Sequence, residues 1–173
     1  MKNFIENKNK NIGKKRVRIG KTDYKFLEFC QNLEGVFSAL AEHLAEVHKG
    51  KKVAYISGII TSDGPDCVVR NIQNLRRYAE DFSCQKDLYV VSPVDVLNKV
   101  VLTRLQRTNE YRETDYRNFW KSVLESKLID MLVMTPRWSK SQGAVIEYRT
   151  ATTTNIEVIF IDGCKCEIKE VSL

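Results

Sequence analysis

Glu147 stands in a stretch whose residue types suit work on a sugar or a phosphate, Thr135-Pro136-Arg137-Trp138-Ser139-Lys140-Ser141-Gln142-Gly143-Ala144-Val145-Ile146-Glu147-Tyr148. The apolar run 130–134 stops at Thr135-Pro136, a Ser-rich loop follows, and Gly143 opens a segment with helical spacing. The first amides of a helix have no partner inside it. Together with the positive end of the helix dipole they can receive a phosphate or another anion, and Ser141 can add a hydroxyl donor. Glu147, one turn further, would bring a carboxylate into the same crevice. A carboxylate beside an anion site is out of place unless a cationic centre arrives, and the oxocarbenium-like carbon of a sugar under glycosidic cleavage is such a centre. The carboxylate can stabilise that carbon or attack it to form a covalent glycosyl-enzyme. The plainer account is a Glu near a helix start that interacts favourably with the dipole; the residues of this stretch leave both open.

The elements that would position these groups follow from hydrophobic period. Residues 23–47 carry Phe26, Phe29, Leu33, Val36, Phe37, Leu40, Leu44 and Val47 at spacings of three and four, an amphipathic helix with Gly35 as a candidate break. That stripe needs a covering surface, in the same domain or in a second copy of the chain. The short apolar run 53–57 ends at Gly58 and reads as a buried strand entering a polar loop. Val68, Ile72, Leu75, Ala79 and Phe82 then mark a helix announced by Pro65. Strands are expected at 88–91, 130–134 and 156–161, and helices over 94–105, 114–127 and 143–152, with 106–113 as a polar surface loop or lid. His43 and His48 read as solvent-side or partly packed helix residues. The alternation of strands and helices predicts an α/β fold, flavodoxin- or Rossmann-like, with a mainly parallel sheet, helices on both faces and an N-terminal helical extension. The expected division is a basic tail over 1–22, a helical extension over 23–50 and the α/β domain over 51–173. Ligands of such sheets sit beyond the carboxyl ends of the strands, which singles out the loops 58–65, 92–95 and 135–143.

Four segments in this order carry a likeness: Tyr55-Ile56-Ser57-Gly58, Val91-Ser92-Pro93, the strand 130–134, and the pattern W-x-x-S-x-G-A-x-x-E-Y over 138–148. Together they resemble the nucleoside 2-deoxyribosyltransferase superfamily, including its deoxynucleoside monophosphate N-glycosidase relatives, across residues 53–162. The resemblance implies hydrolysis or transfer at the N-glycosidic bond of a nucleoside or nucleotide, with Glu147 as nucleophile and Tyr55 beside it. It implies no metal and no organic cofactor, and a dimer or larger assembly. Gly58 would let backbone approach the ligand, Asn71 on the next helix could reach it, Trp138 would wall a base or cover the loop, and Ser141 with Gly143 would form the anion site.

Departures from the pattern are specific. Many family members carry an acid eight positions before the one that opens the third strand, and counting back from Asp130 gives Ser122. A serine cannot act as a carboxylate acid or base. Asp115 is the nearest substitute, but it lies seven residues, or about 10.5 Å of helix rise, from that position. Ile59 also stands where relatives often show Pro or Ser. The alternative expectation is therefore a nucleotide-binding or sensing protein that kept the pocket and lost turnover.

Composition bounds the remaining classes. The chain has 173 residues and a formal net charge of +6. Residues 1–21 carry eight Lys or Arg against Glu6 alone, so the other 152 residues sum to −1. Nucleic-acid binding is accordingly confined to the tail, where a solvated terminus is the competing account. No apolar run is long enough to span a membrane, and the Lys-rich start lacks a secretory h-region, so a cytoplasmic protein is expected. Five cysteines without CxxC spacing suggest neither a disulfide framework nor a zinc site.

Overall fold

The computed structural model describes residues 24–84, 87–161 and 168–169; the basic tail, Cys164 and Cys166 lie outside the described residues. The elements are α1 (Leu33–Val47), β1 (Lys52–Ser57), α2 (Val68–Ser83), β2 (Leu88–Val91), α3 (Pro93–Val96), α4 (Lys99–Thr108), α5 (Glu113–Glu125), β3 (Met131–Met134), α6 (Gln142–Thr153), β4 (Glu157–Ile161) and β5 (Ile168–Lys169). Short 3₁₀ turns precede α1 at Lys25–Phe29, α2 at Pro65–Cys67 and α6 at Trp138–Lys140.

The strands form one sheet in the order β2-β1-β3-β4-β5. The pairs β1–β2, β1–β3 and β3–β4 are parallel, and β5 runs antiparallel to β4. This is the doubly wound α/β arrangement expected from the alternation, with the strand order reversing at β1. The antiparallel edge strand has no counterpart in that expectation.

Each strand is pleated, so successive side chains serve opposite faces. Val53, Tyr55, Leu132 and Met134 belong to a core shared with α1, α4, α5 and α6. Ala54, Ile56 and Val133 belong to a second core under α2. Both faces are covered, which is why β1 and β3 read as unbroken apolar runs rather than as alternations.

The helical extension is a layer of this domain. Leu33, Val36, Leu40 and Leu44 of α1 are buried in the first core, so the apolar stripe finds its covering surface within the chain. The break in the predicted helix also falls earlier than Gly35. Asn32 is extended and its side chain accepts a 2.7 Å hydrogen bond from the Gly35 N–H, which starts a new helix at Leu33. Gly35 is thus in the first turn, and the interruption lies at residues 30–32.

The stretch 106–113 is neither a long loop nor a lid. α4 continues to Thr108 and Glu113 already opens α5, leaving only residues 109–112 as connection. That connection is fastened: the Thr108 hydroxyl and the Asn109 amide both donate to Gln31 O, at 2.9 and 3.0 Å, and Tyr111 OH accepts from the Leu33 N–H at 3.1 Å. Among the described residues no helix is long and apolar enough to cross a membrane.

If α1 is part of the core, Leu40→Ala should lower the unfolding free energy by about 2–5 kcal/mol, as a large-to-small change in a packed interior does. Urea titration followed by circular dichroism measures this. A loss below about 0.5 kcal/mol, the range of surface changes, would show the helix to be an appendage.

Candidate active site

Tyr55 and Ser57 are two residues apart on β1, so the pleat puts both side chains on the face that carries α6. On α6, Ala144, Glu147 and Ala151 are spaced by three and four and all are buried, which makes Glu147 part of the helix's sheet-facing stripe. The small alanines on either side let α6 lie close to the sheet with a carboxylate between them.

The carboxylate is fully engaged by hydroxyls. Tyr55 OH donates to Glu147 Oε1 at 2.9 Å and Ser57 Oγ donates to Oε2 at 2.5 Å. Glu147 is 9 % exposed, and no cation among the described residues pairs with it. Its oxygens therefore neither face bulk solvent nor sit in an ion pair. The Trp120 ring of α5 backs Tyr55, with ring centroids 5.0 Å apart.

Burial pushes the Glu147 carboxyl up from 4.5 to about 7, against the opposing pull of the hydrogen bonds from Ser57 and Tyr55. Burial also holds the Tyr55 phenol well above its ordinary 10, with the neighbouring Glu147 charge adding to the effect. The phenol is thus a hydrogen-bond donor at all ordinary pH values, while the carboxyl is poised near neutrality. The dipole account of Glu147 weakens on position alone: Gln142 is the first helical residue, so Glu147 lies in the second turn, beyond the reach of most of the dipole effect.

The other residues singled out by sequence are distributed around this centre. Ser141 is the N-cap of α6, its Oγ accepting from the Ala144 N–H at 3.3 Å, and it is buried. The helix opens at Gln142 rather than at Gly143, and a Cβ on Gly143 would meet Ser141 Oγ at an ordinary 3.8 Å, so no crowding requires glycine there. Arg117 of α5, which no sequence motif marks, donates to Gln142 Oε1 at 2.8 Å and places a guanidinium at this helix start.

Gly58 is needed for close packing between strands. A Cβ there would lie 1.9 Å from Thr135 Oγ1 and 3.0 Å from Leu75 Cδ2, so the side chain of Thr135 occupies the space that a larger residue would take. Trp138 packs on Tyr148 and Phe160, at centroid distances of 4.9 and 5.9 Å, and so covers its loop. Asn71 lies on α2 and donates to Ile60 O at 3.1 Å, on the other side of the sheet from Glu147. Asp115 accepts from the Arg112 N–H at 2.7 Å and caps α5, and Ser122 is exposed on the same helix. Neither contributes to the acidity of Glu147.

Ser57, which the motif contains without assigning it a role, is the second hydroxyl bound to Glu147. Its signal is present in the pattern: a polar residue two positions after the strand tyrosine must share its face. His43 is partly packed, the second of the two arrangements expected for it, with Nε2 2.6 Å from Tyr89 OH on β2.

A folded-state value of about 7 against 4.5 for the free side chain means that the folded protein holds this proton more tightly. The associated stability is present in full below about pH 4.5 and is lost as pH rises through about 7, by on the order of 3 kcal/mol. Glu147→Gln keeps a neutral group at the site. Urea titrations between pH 5 and pH 8 should therefore show the parent chain losing stability relative to the variant; parallel curves would contradict the buried neutral carboxyl.

Set against known proteins, the chain matches no protein-family model, no curated protein and no solved structure.

Proposed function

We propose that the chain cleaves or transfers at the N-glycosidic bond of a nucleoside or nucleotide, with Glu147 as the nucleophile. The observation that carries this reading is a buried carboxylate at the carboxyl end of β1, held by the Tyr55 and Ser57 hydroxyls and paired with no cation among the described residues. A structural carboxylate in a core is normally paired, because burying a charge alone is costly. One held by hydroxyls alone keeps its attraction for an incoming positive centre. The order of motifs over residues 53–162 that resembles the nucleoside 2-deoxyribosyltransferase superfamily supports the same assignment.

In the first half-reaction a Glu147 oxygen forms a bond to the anomeric carbon as the bond from that carbon to the base nitrogen breaks. The electron pair leaves with the base, which takes up a proton. In the second half a water oxygen, or the nitrogen of another base, attacks the same carbon, the ester to Glu147 breaks and a proton is released. Tyr55 and Ser57 orient the carboxylate and stabilise its ionised form. Ser141, the first amides of α6 and the Arg117 guanidinium form the natural end for a 5′-phosphate.

A second reading has an observation in its favour. Retaining glycosidases use two carboxylates about 5 Å apart, and here Asp115 is spent on a helix cap while Ser122 is exposed and uncharged. A nucleotide-binding protein without turnover fits a site to which neither position brings a second acid.

Free base released from a panel of nucleosides, deoxynucleoside monophosphates and NAD, read by chromatography, separates the two. The enzyme reading expects release that Glu147→Gln reduces by about 10⁴-fold or more, the scale for a group acting within a catalytic unit. Thermal stabilisation by a nucleotide with no release favours the binder.

The nucleophile must be ionised, so kcat/KM should rise with pH through about 7 and level off above it. Ser57→Ala removes the stronger of the two hydrogen bonds that favour the charged form and should move that rise to higher pH. A profile unmoved by the substitution would detach the measured step from Glu147.

A further inference from the structure

Neither candidate position on α5 brings an acid to the site: Asp115 is spent on the helix's own start and Ser122 is exposed. What the helix does turn towards α6 and β1 is a pair spaced by three, Arg117 and Trp120. The first reaches Gln142 at the start of α6, and the second packs on Tyr55, the residue that donates to Glu147 Oε1. Trp120 is thus one contact removed from the carboxylate.

Tyr55 is held differently at its two ends. Its stem lies in the middle of the sheet, with Val91 of β2 and Leu132 of β3 in register on either side, both buried. Those neighbours fix the Cα and Cβ. The phenol ring projects off the sheet into the helix layer, and there, among the described residues, the ring packed on it is that of Trp120, with planes 37° apart. Phe119 meets the indole edge-on at 4.8 Å, so Trp120 is itself braced. Both members of the pair are buried, Tyr55 at 1 % exposure and Trp120 at 6 %.

A hydrogen bond weakens steeply once its distance and angle leave the optimum. A phenol hydroxyl sits at the far end of two torsions, so a swing well short of a rotamer change carries it off its acceptor. A flat indole against the ring opposes that swing at low entropic cost, because the indole has only two torsions of its own. The Ser57 donor needs no such support, since a serine hydroxyl stands one carbon from the strand.

We propose that Trp120 is a positioning residue, which holds the Tyr55 hydroxyl on Glu147 Oε1 and touches no reacting atom. α5 thereby acts on the carboxylate by shape rather than by charge. The catalytic meaning of this role rests on the glycosidic reading, in which the oxygen that Tyr55 keeps in place belongs to the nucleophile; the positioning itself requires no turnover.

Carbon-13 NMR of the full chain with labelled glutamate carboxyls, the Glu147 signal being assigned by its loss in Glu147→Gln, reads the ionisation of that one group without substrate. The hydrogen bonds from Ser57 and Tyr55 favour its charged form, and no charged side chain among the described residues contributes. In Trp120→Leu the midpoint of the Glu147 titration should move up by about one pH unit, the scale of one charge-assisted hydrogen bond. Tyr55→Phe should move it likewise, and Trp120→Leu in the Tyr55→Phe background should add nothing. Trp120→Phe, which keeps a ring against the phenol, should stay close to the parent chain. If Trp120→Leu does not fold, Trp120→Met takes its place, the thioether filling the gap without a flat face. A midpoint that stays or falls in the Leu or Met variant, or a shift that adds in full to that of Tyr55→Phe, would overturn the assignment. Base release lost in Glu147→Gln with no titration effect at Trp120 would sink this inference and leave the glycosidic reading standing; the titration effect with no base release from any nucleoside or nucleotide would do the reverse.

Discussion

A carboxylate buried without a cation among the described residues is the constraint around which this side of the sheet is built. Glu147 can remain there only because two hydroxyls from one strand reach its two oxygens. Tyr55 and Ser57 can do so only because β1 is pleated and central, with β2 and β3 fixing it from both sides. α6 can approach only because Ala144 and Ala151 flank the carboxylate on the helix face. The fold's contribution is to hold donor geometry rigid while raising the proton affinity of the acid to the neutral range.

The two faces of the sheet divide the labour. On one, α6 and α5 enclose the carboxylate and present Ser141 and Arg117 at a helix start. On the other, α2 and the loops after β1 and β3 form an open cleft of mixed polar and apolar lining, bordered by the Asp63–Arg137 pair. Gly58 and Thr135 lie where the two meet, and their contact is too close for any larger residue at position 58. The glycine expected to admit a ligand thus serves first to let the strand ends come together.

Sequence pattern makes most of the architecture legible because strands and helices announce themselves by period. The runs at 53–57, 88–91 and 130–134 locate the parallel core within a residue or two, and Glu147 is marked by the pattern over 138–148, though not its place in the sheet-facing stripe of α6. What period does not encode is capping and long-range fastening. Asn32 ends one turn and starts α1 through a side-chain bond that a continuous apolar stripe conceals. The polar residues 106–108 look like loop but extend α4, and Gln31, distant in sequence, secures its end. Asp115 has the right chemistry for a missing acid, yet a carboxylate three residues inside a helix start is readily consumed by the backbone it follows. The cleft under α2 is invisible in sequence for a related reason: Asp63 and Arg137 lie 74 residues apart and meet only once the sheet has formed.

The same long-range fastening sets a schedule for synthesis. α1 leaves the ribosome early, but its anchor points Thr108 and Tyr111 follow the residues they hold by 77 and 78 positions. At about 5–20 residues per second this leaves roughly 4–16 seconds in which the apolar side of α1 lacks its full covering layer. Over that interval Val36, Leu40 and Leu44 have no complete layer of strands and helices to cover them. Until α5 is made, the apolar side of α1 lacks part of the layer that hides it in the folded domain, and exposed surface of that kind favours aggregation.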